Sequence, residues 1–261
     1  MKGSFFSFIL IFASSLFIYA RWIEPTWIEV SHHSVIAPVA HALKILQLSD
    51  LHTSEFGTRE KKVLSIIDTE KPDVIVVTGD SVSDSGDWAQ VADFLKRLKA
   101  PLGVAVIDGN WEHWRPTPEE LKIYQDANVF NLNNRSFQIA DKVWIVGLDD
   151  AFSGSPDIER AFLGVPPEAF KVALFHSPVH FDAISHRIDL GLAGHTHGGQ
   201  IRIPFMRPIF LPEGSGDYLS GWYTRGASRM YVSRGVGNSI LEFRLASRPE
   251  VVIYTLQRPV Q

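Results

Sequence analysis

The chain of 261 residues contains no cysteine, so disulfide bonds, thiolate metal ligands and a cysteine nucleophile are all excluded. A transition metal in this protein must be held by His, Asp, Glu or Asn, which favours a hard or borderline divalent ion such as manganese, iron or zinc. A basic surplus is also missing, since 25 Lys and Arg stand against 29 Asp and Glu. We therefore expect no binding to nucleic acid.

Long uncharged apolar runs are scarce, although 45% of the residues are apolar. The exception is Phe5 to Ala20, which Arg21 closes and which Trp22 and Trp27 follow. This run is short for a spanning helix and long for the core of a cleaved signal peptide. Aromatic residues at its end are typical of a membrane–water interface. We predict that residues 1–21 form an N-terminal membrane anchor, with a signal peptide as the alternative, and that residues 22–261 form a single domain.

Apolar runs and amphipathic segments alternate in the first half of the chain. They predict strands at 43–48, 74–77 and 102–107 and helices at about 58–70 and 87–100. Uninterrupted apolar strands joined by helices are typical of a parallel sheet covered on both faces. The second half predicts shorter strands joined mostly by turns, including 200–203 and 240–245, which favours a second, more mixed sheet packed on the first.

Side chains able to bind metal recur where the apolar runs end. They are Asp50, His52, Asp80, Asn110, His176, His195 and His197. Because the strands of one sheet bring their carboxyl ends to a common edge, we expect these side chains to meet there. Seven N and O donors are too many for one tetrahedral ion and suit two ions that share a bridging carboxylate. Any one of them alone has a structural alternative, since an Asp after a strand often caps the next helix.

The segment LGLAGHTHGGQI, from Leu190 to Ile201, places two histidines two residues apart. On an extended backbone, His195 and His197 project to the same side. That spacing suits two neighbouring ions about 3.5–4 Å apart. The flanking glycines let the backbone turn sharply and approach an ion or a phosphate closely. Taken alone, the same pattern also fits a polar loop with two solvated histidines.

Five motifs together resemble those of the calcineurin-like metallophosphoesterases: DLH at 50–52, GD at 79–80, GN at 109–110, HSP at 176–178 and GHTH at 194–197. The resemblance implies an α/β fold, a four-layer α/β/β/α sandwich of two mixed sheets, with a dinuclear site. By it, Asp50, His52 and His197 would hold one ion, Asn110, His176 and His195 the other, and the catalytic Asp80 would bridge both. Two divalent ions, manganese foremost and iron or zinc as alternatives, would supply a bridging hydroxide that attacks phosphorus.

A wider pattern resembles a bacterial membrane-associated branch of that family. It comprises the apolar start, GHTHGGQ, SRGVG at 233–237 and RPEV at 248–251. The branch includes phosphodiesterases and the UDP-2,3-diacylglucosamine pyrophosphatases of lipid A biosynthesis. The resemblance implies a hydrolase of a lipid-linked or nucleotide diphosphate. We expect a monomer anchored in the inner membrane, and the charges around the apolar run, Lys2 before it against Arg21 and Glu24 after it, slightly favour the outer, periplasmic face for the domain. The alternative is a phosphodiesterase of broad specificity.

One departure from the family pattern concerns the general acid. The family usually has His after the GN motif, whereas this chain has Trp111 in GNWEHW. His113 either takes over the acid role or is a surface histidine. Without a general acid, a loss on the order of 10²–10⁴-fold is expected for poor leaving groups, so we expect a preference for diphosphates or activated diesters over alkyl monoesters. A slow metal-binding sensor or scaffold is the further alternative.

Three weaker candidates have two interpretations each. Arg234 either contacts a phosphate of the substrate or forms a structural ion pair. Asp149 and Asp150 either orient a ligand or cap a turn. The apolar and aromatic stretch from Arg202 to Tyr223 is predicted to be a loop that covers the sheet edge, with a surface against the bilayer or an acyl chain as the alternative.

Overall fold

The computed structural model describes residues 2–203, 206–208 and 210–258. Within them the chain forms seven α-helices: α1 Lys2–Ile18, α2 Thr58–Glu70, α3 Trp88–Leu95, α4 Asn110–Trp114, α5 Glu120–Ala127, α6 Ile158–Ala161 and α7 His180–Ile184. The strands of the first sheet are β1 Glu29–Ile36, β2 Leu43–Leu48, β3 Val74–Thr78, β4 Val104–Ile107, β5 Phe130–Asn131 and β12 Glu250–Gln257. Those of the second are β6 Arg135–Ala140, β7 Val143–Gly147, β8 Phe170–Leu174, β9 Leu190–Ala193, β10 Gly221–Arg225 and β11 Ser228–Val232.

Each sheet contains four neighbouring parallel strands together with antiparallel pairing, which lies inside the first sheet and at both edges of the second. The first has the order β1-β12-β2-β3-β4-β5, with β2 to β5 parallel and β12 antiparallel to β2. The second has the order β10-β11-β9-β8-β7-β6, with β11, β9, β8 and β7 parallel. Both sheets are therefore mixed, and the carboxyl ends of the parallel strands in each lie at one edge.

The protein has three apolar layers. One lies between the two sheets, and the other two lie between each sheet and the helices that cover its outer face. Alternate residues of a strand face opposite sides, so Ile45 packs between the sheets whereas Leu46 faces α2 and α3. On the outer face of the second sheet, Phe181 and Ile184 of α7 pack on Ala173. This arrangement of layers is the α/β/β/α sandwich, and the predicted fold class is confirmed.

Several sequence predictions differ from the structure in their bounds. The helix expected over 87–100 ends at Leu95, and the strands expected at 200–203 and 240–245 do not form. Only an isolated bridge joins Ile201 to Leu245 in that region. Gln200 and Ile240 have φ of 46° and 61°, a left-handed conformation that a strand cannot contain. The prediction of strands there was wrong for this reason.

The N-terminal helix extends beyond the apolar run seen in the sequence. After α1 the chain continues through a π-helical turn and a 3-10 turn to Thr26. Phe6–Thr26 is long and apolar enough to cross a membrane, and only 6% of an 18-residue stretch within it is buried against the protein. A signal sequence has the same properties, so the division into an anchor at 1–21 and a domain at 22–261 stays a prediction.

Gln47 of β2 forms a polar contact between the two sheets, close to the carboxyl ends of the strands. Its side-chain amide donates to the carbonyl of Ala193 at 3.0 Å and to the hydroxyl of Thr78 at 2.9 Å, and it accepts from Tyr254 Oη at 2.7 Å. Gln47 and Tyr254 are completely buried. Removing the amide would leave polar groups of both sheets without partners in an apolar interior.

We expect Gln47→Ala to lower the free energy of unfolding by about 2–3 kcal/mol, because buried donors and acceptors lose their partners. The exposed Gln138→Ala serves as the control and should change it by less than about 0.5 kcal/mol. Urea denaturation in detergent measures both. Equal effects of the two substitutions would show that the Gln47 network does not join the sheets.

Candidate metal centre

The seven metal-binding side chains lie together at the common edge of the two sheets. Each lies just after a strand, β2, β3 or β4 of the first sheet or β8 or β9 of the second, and Asn110 is the first residue of α4. All seven are buried, and none is more than 6% exposed. The fold thus brings residues from Asp50 to His197 into one cluster.

The backbone of this cluster is strained. Five of the seven residues have a left-handed conformation: Asp50 with φ of 51°, His52 43°, Asp80 55°, His195 74° and His197 50°. Such conformations are uncommon outside glycine and persist where the surrounding structure enforces them. The enforced turns aim consecutive polar side chains at one point, which indicates a functional site rather than a set of helix caps.

The first group of donors is formed by Asp50, His52 and His197. The two Nε2 atoms of His52 and His197 lie 3.1 Å apart, and Nε2 of His197 lies 3.4 Å from Oδ1 of Asp50. Ligands bound at about 2.1 Å to one ion lie about 3.0–3.4 Å apart at octahedral or tetrahedral angles. The separations therefore fit a single divalent cation.

The second group contains Asp80, His176 and His195, with Asn110 beside it. Nε2 of His176 is central: it lies 3.0 Å from Nδ1 of His195, 3.1 Å from Oδ2 of Asp80 and 3.2 Å from Oδ1 of Asn110. These distances again match ligands around one cation.

Hydrogen bonds behind the donors fix the tautomers of two histidines. Nδ1 of His176 donates to the carbonyl of Thr78 at 2.8 Å, so its Nε2 faces the site. Nε2 of His195 donates to the carbonyl of Glu213 at 2.7 Å, which leaves its Nδ1 facing the site. A metal-binding imidazole is ordinarily oriented in this way by a hydrogen bond from its other nitrogen.

Asp80 connects the two groups. Its Oδ1 accepts the backbone N–H of Trp111 at 2.9 Å. Its Oδ2 lies 3.1 Å from Nε2 of His176 in one group and 3.7 Å from Nε2 of His52 in the other. One carboxylate oxygen thus faces both groups, which is the position that a bridging ligand occupies.

The electrostatics of the cluster favour cations. Burial lowers the pKa of His52 and of His195 to about 4, so both are neutral imidazoles near pH 7, which is the form that binds metal. Burial also opposes charge on His176, but the carboxylates of Asp80 and Asp50 outweigh it and raise its pKa well above the usual value. The carboxylates therefore produce a negative potential where the donors converge.

A cavity of about 460 Å³ opens onto the second group and part of the first. Asp80, Asn110, His195 and His197 lie at its polar side. The remaining wall is largely apolar and includes Trp111, Trp114, Ile201, Phe210, Ile240 and Leu241. A substrate in this cavity would meet the metal-binding groups on one side and aromatic and aliphatic side chains on the other.

Comparison with known proteins agrees with this geometry. The family model of the calcineurin-like phosphoesterases matches residues 43–199, more than half of the chain. The chain belongs to the calcineurin-like phosphoesterase family. Members bind two divalent metals, and this structure contains two groups of side chains that could each hold one. The resemblance inferred from the motifs is confirmed, and the protein is a metal-dependent phosphoesterase.

Curated relatives of this phosphoesterase match nearly its whole length. An uncharacterized metallophosphoesterase, YkuE of Bacillus subtilis, is 35% identical over 92% of this chain and 89% of its own. The phosphodiesterase YaeI of Escherichia coli is 31% identical over 93% of both. A bovine transmembrane protein with a metallophosphoesterase domain is 29% identical over 89% of this chain and 56% of its own.

A solved structure shares the fold at low sequence identity. The putative 5'-nucleotidase from Staphylococcus aureus, in complex with alpha-ketoglutarate, superimposes with a TM-score of 0.50 and 15% identity. The match covers 81% of this chain and 54% of the other. This match supports the phosphoesterase fold, and it carries no information on substrate or activity.

His113 does not point into the cavity of this phosphoesterase. Its Nε2 lies 2.6 Å from Oδ1 of Asp149, and it is not among the described residues that line the cavity. The structure therefore gives no support to His113 as the general acid. With Asp108 it forms a third cluster of donors, but the carboxylates of that cluster already accept hydrogen bonds from neighbouring groups: Tyr124, Asn133, Asp150 and Ser155.

The other weak candidates also have structural partners. The guanidinium of Arg234 contacts Glu250 and Glu29, each at 3.2 Å, which favours the ion-pair interpretation over substrate contact. Asp150 caps a turn by accepting the backbone N–H of Ser153 at 2.8 Å, and it accepts the hydroxyl of Ser177 at 2.6 Å. The latter contact supports the loop that carries His176.

Two positioning residues were missed from the sequence. The carboxylate of Glu112 accepts backbone N–H groups from two metal-binding loops: Asp80, Ser81 and Val82 after β3, and Gly109 after β4. A capping box, with glutamate three residues after the N-cap Gly109, is the signal that could have identified it. Arg244 is completely buried and donates to the carbonyls of Gly237 and Ser247, and no sequence pattern marked it.

We predict that Asp80→Ala will remove metal from both groups, because its Oδ2 faces each of them. Loss of a mere supporting hydrogen bond costs about 10–100-fold in metal affinity, and loss of a shared ligand should cost at least the upper value. Manganese titration of the purified protein measures this. The exposed Asp84→Ala should bind like wild type, and two tightly bound ions in Asp80→Ala would contradict the bridging position.

The His113–Asp149 pair predicts a pH dependence of stability. Its hydrogen bond to Asp149 raises the pKa of His113 to about 9, so the folded state holds this proton more tightly than the unfolded chain. The stabilisation is fully present below about pH 6.5 and is lost as the pH rises through about 9.

The stability difference between wild type and His113→Asn should therefore shrink between pH 6.5 and 10. Thermal unfolding across this range provides the measurement, with the exposed His186→Asn as the control. A difference that stays constant or grows with pH would exclude the ion pair.

Proposed function

We propose that this phosphoesterase hydrolyses a phosphodiester or diphosphate that carries an apolar or nucleotide group, and that it acts at a membrane. A lipid-linked or nucleotide diphosphate, as in the UDP-2,3-diacylglucosamine pyrophosphatases, is the leading substrate class. The observation that carries the proposal is the apolar cavity beside the metal-binding groups, in which Trp111 stands where the family usually has a histidine.

Seven residues would hold the two ions in this proposal. Asp50, His52 and His197 form one set, Asn110, His176 and His195 the other, and Asp80 is shared. When bound, divalent ions lower the pKa of water and neutralise phosphoryl oxygens, and manganese is the ion we expect first. The chain's own contribution is to fix the donors: the backbone N–H of His195 holds Asp50 at 2.9 Å, and that of Trp111 holds Asp80 at 2.9 Å.

The side chain of Trp111 determines which leaving groups are suitable. Its ring contacts His52 edge-on, with 5.5 Å between ring centres, and lines the cavity. An indole cannot protonate a departing alkoxide, so a leaving group of high pKa gains no acid assistance. A phosphate or an activated alcohol leaves without it, which favours diphosphates and activated diesters.

The apolar wall supports a substrate with an apolar part next to the phosphorus. Trp111 and Trp114 lie 5.6 Å apart between ring centres, and Ile201 and Phe210 complete that part of the wall. Such a surface stabilises an acyl chain by burial or a nucleobase by stacking. A small monoester would leave it in contact with water.

Membrane attachment rests on α1 and on the relatives. Its side chains are apolar and exposed, with Phe8 and Ile11 at 68% and 66%, which is unfavourable in water. The bovine relative is named a transmembrane protein. We propose a single-pass anchor in the bacterial inner membrane, with the periplasmic side as the working assumption for the domain.

A broad phosphodiesterase is the second candidate, because the E. coli relative YaeI is named a phosphodiesterase. Comparing manganese-loaded protein on UDP-2,3-diacylglucosamine and on bis-p-nitrophenyl phosphate separates the two. A marked preference for the diphosphate supports the first proposal, whereas equal rates support the second.

We predict hydrolysis of an alkyl phosphomonoester at least about 100-fold slower than that of a nucleotide diphosphate conjugate, since no general acid assists the alkoxide. Trp111→His should raise the monoester rate selectively, and Trp111→Phe, which adds no proton donor, should not. Initial rates on both substrates test this. Comparable wild-type rates on the two substrates would refute the leaving-group argument.

A further inference from the structure

The mouth of the metal cavity carries an exposed apolar rim, formed by Trp114, Phe210, Ile240 and Leu241. All four line the cavity, yet they are 54%, 69%, 74% and 54% exposed. Single exposed apolar residues are common on protein surfaces, but a contiguous group around the opening of a site marks an interaction surface.

The tip of this rim is held in place and strained. The side-chain amide of Gln200 donates to the carbonyls of Ser239 and Leu241, and its oxygen accepts the backbone N–H of Ser239. Between them Ile240 has φ of 61°, a conformation that is a clear outlier for a β-branched residue. The hydrogen bonds of Gln200 thus hold the backbone in a strained conformation, in which Ile240, the most exposed apolar side chain of the rim, points outward.

The loop that carries the tip is docked on the end of α1. The rings of Phe243 and Phe17 lie 5.2 Å apart, and the backbone N–H of Arg244 donates to the carbonyl of Ala20 at 2.9 Å. Arg21 lies over the rings of Trp22 and Phe243, with 5.5 and 5.9 Å to their centres. A cation between aromatic rings is typical of the headgroup region of a membrane.

The same loop is connected to the metal centre. The carboxylate of Glu24 is buried and accepts the backbone N–H groups of Ala246 and Ser247. The hydroxyl of Ser247 donates to the carbonyl of His197 at 2.7 Å. Hydrogen bonds through Glu24 and Ser247 therefore connect the end of the apolar helix with His197. The rim accordingly has a fixed position relative to α1.

We propose that the rim inserts into the bilayer surface beside α1, so that the cavity opens onto the lipid headgroups and takes a phosphoester whose apolar part stays in the membrane. The occupant is a lipid surface because the rim is continuous with the exposed apolar helix through Phe243. The inference rests on the proposed membrane attachment, and it adds the orientation of the site and the source of its substrate.

The absence of cysteine permits a direct test, since a single introduced thiol gives a unique label. The full chain carrying Ile240→Cys is labelled with an environment-sensitive fluorophore and reconstituted into vesicles of phosphatidylethanolamine and phosphatidylglycerol. We expect a blue-shifted emission, protection from aqueous iodide, and quenching by lipid-borne nitroxides that places the label about 5–10 Å below the headgroups. Leu241→Cys provides a second reporter in the rim.

The control is Leu163→Cys, because Leu163 is 79% exposed and follows α6 on the outer layer of the second sheet. Its label should remain accessible to iodide. Rim labels that stay in water on vesicle-bound protein would overturn the proposal. Rim labels that quench one another until the protein is diluted in lipid would also overturn it, in favour of contact with a second copy.

The two proposals fail in different ways. If unlabelled wild type hydrolyses bis-p-nitrophenyl phosphate but the rim labels stay in water, the proposed insertion is refuted. The proposed phosphodiesterase activity then stands. Labels in the bilayer without hydrolysis of any phosphoester would retain the insertion and remove the proposed function. The depth measurement does not depend on metal loading, so an incompletely loaded sample cannot imitate the first result, and a manganese analysis of the sample excludes it as the cause of the second.

Discussion

The position of the Asp80 carboxylate between the two groups of donors is the constraint on which the account of the site depends. One oxygen is fixed by the N–H of Trp111 and the other faces donors from both sheets. Burying this carboxylate among histidines is costly unless cations compensate its charge. The two sheets, the left-handed turns and the Glu112 hydrogen bonds together keep this carboxylate beside both groups of donors, where cations would compensate its charge. The fold thus positions one carboxylate between the two groups of donors, as a bridging ligand would require.

The sequence predicted the fold class and the composition of the donor cluster, because strand ends, ligand-type residues and family motifs coincide. The roles of Asp50 and His197 remain proposals, although their atoms lie where those roles require. The sequence did not reveal that 200–203 and 240–245 are irregular, since apolar residues there suggested strands whereas Gln200 and Ile240 have left-handed backbones. Nor did it show that His113 and Arg234 pair with carboxylates, because these contacts join residues distant in the chain. The burial of Arg244 was not predicted either, since no sequence pattern marks it.

The proposed membrane anchor and the candidate metal centre are connected in one part of the molecule. The end of α1, the loop around Phe243 and the metal-binding His197 are consecutive contacts, so the position of the domain on a bilayer would fix the direction in which the cavity opens. Trp111 gives the same cavity an apolar wall where the family has an acid. The preferences that we propose, for good leaving groups and for poorly water-soluble substrates, both rest on side chains rather than on the fold.

The central claim is that one carboxylate bridges two ions, and electron paramagnetic resonance of manganese-loaded protein tests it most directly. Two Mn²⁺ ions that share Asp80 lie close enough to couple magnetically. The account predicts the broad spectrum of a coupled pair at two manganese ions per chain, replacing the six-line signal of an isolated ion. A six-line signal that persists at saturation, with no coupled component, would contradict the shared carboxylate and with it the proposed mechanism.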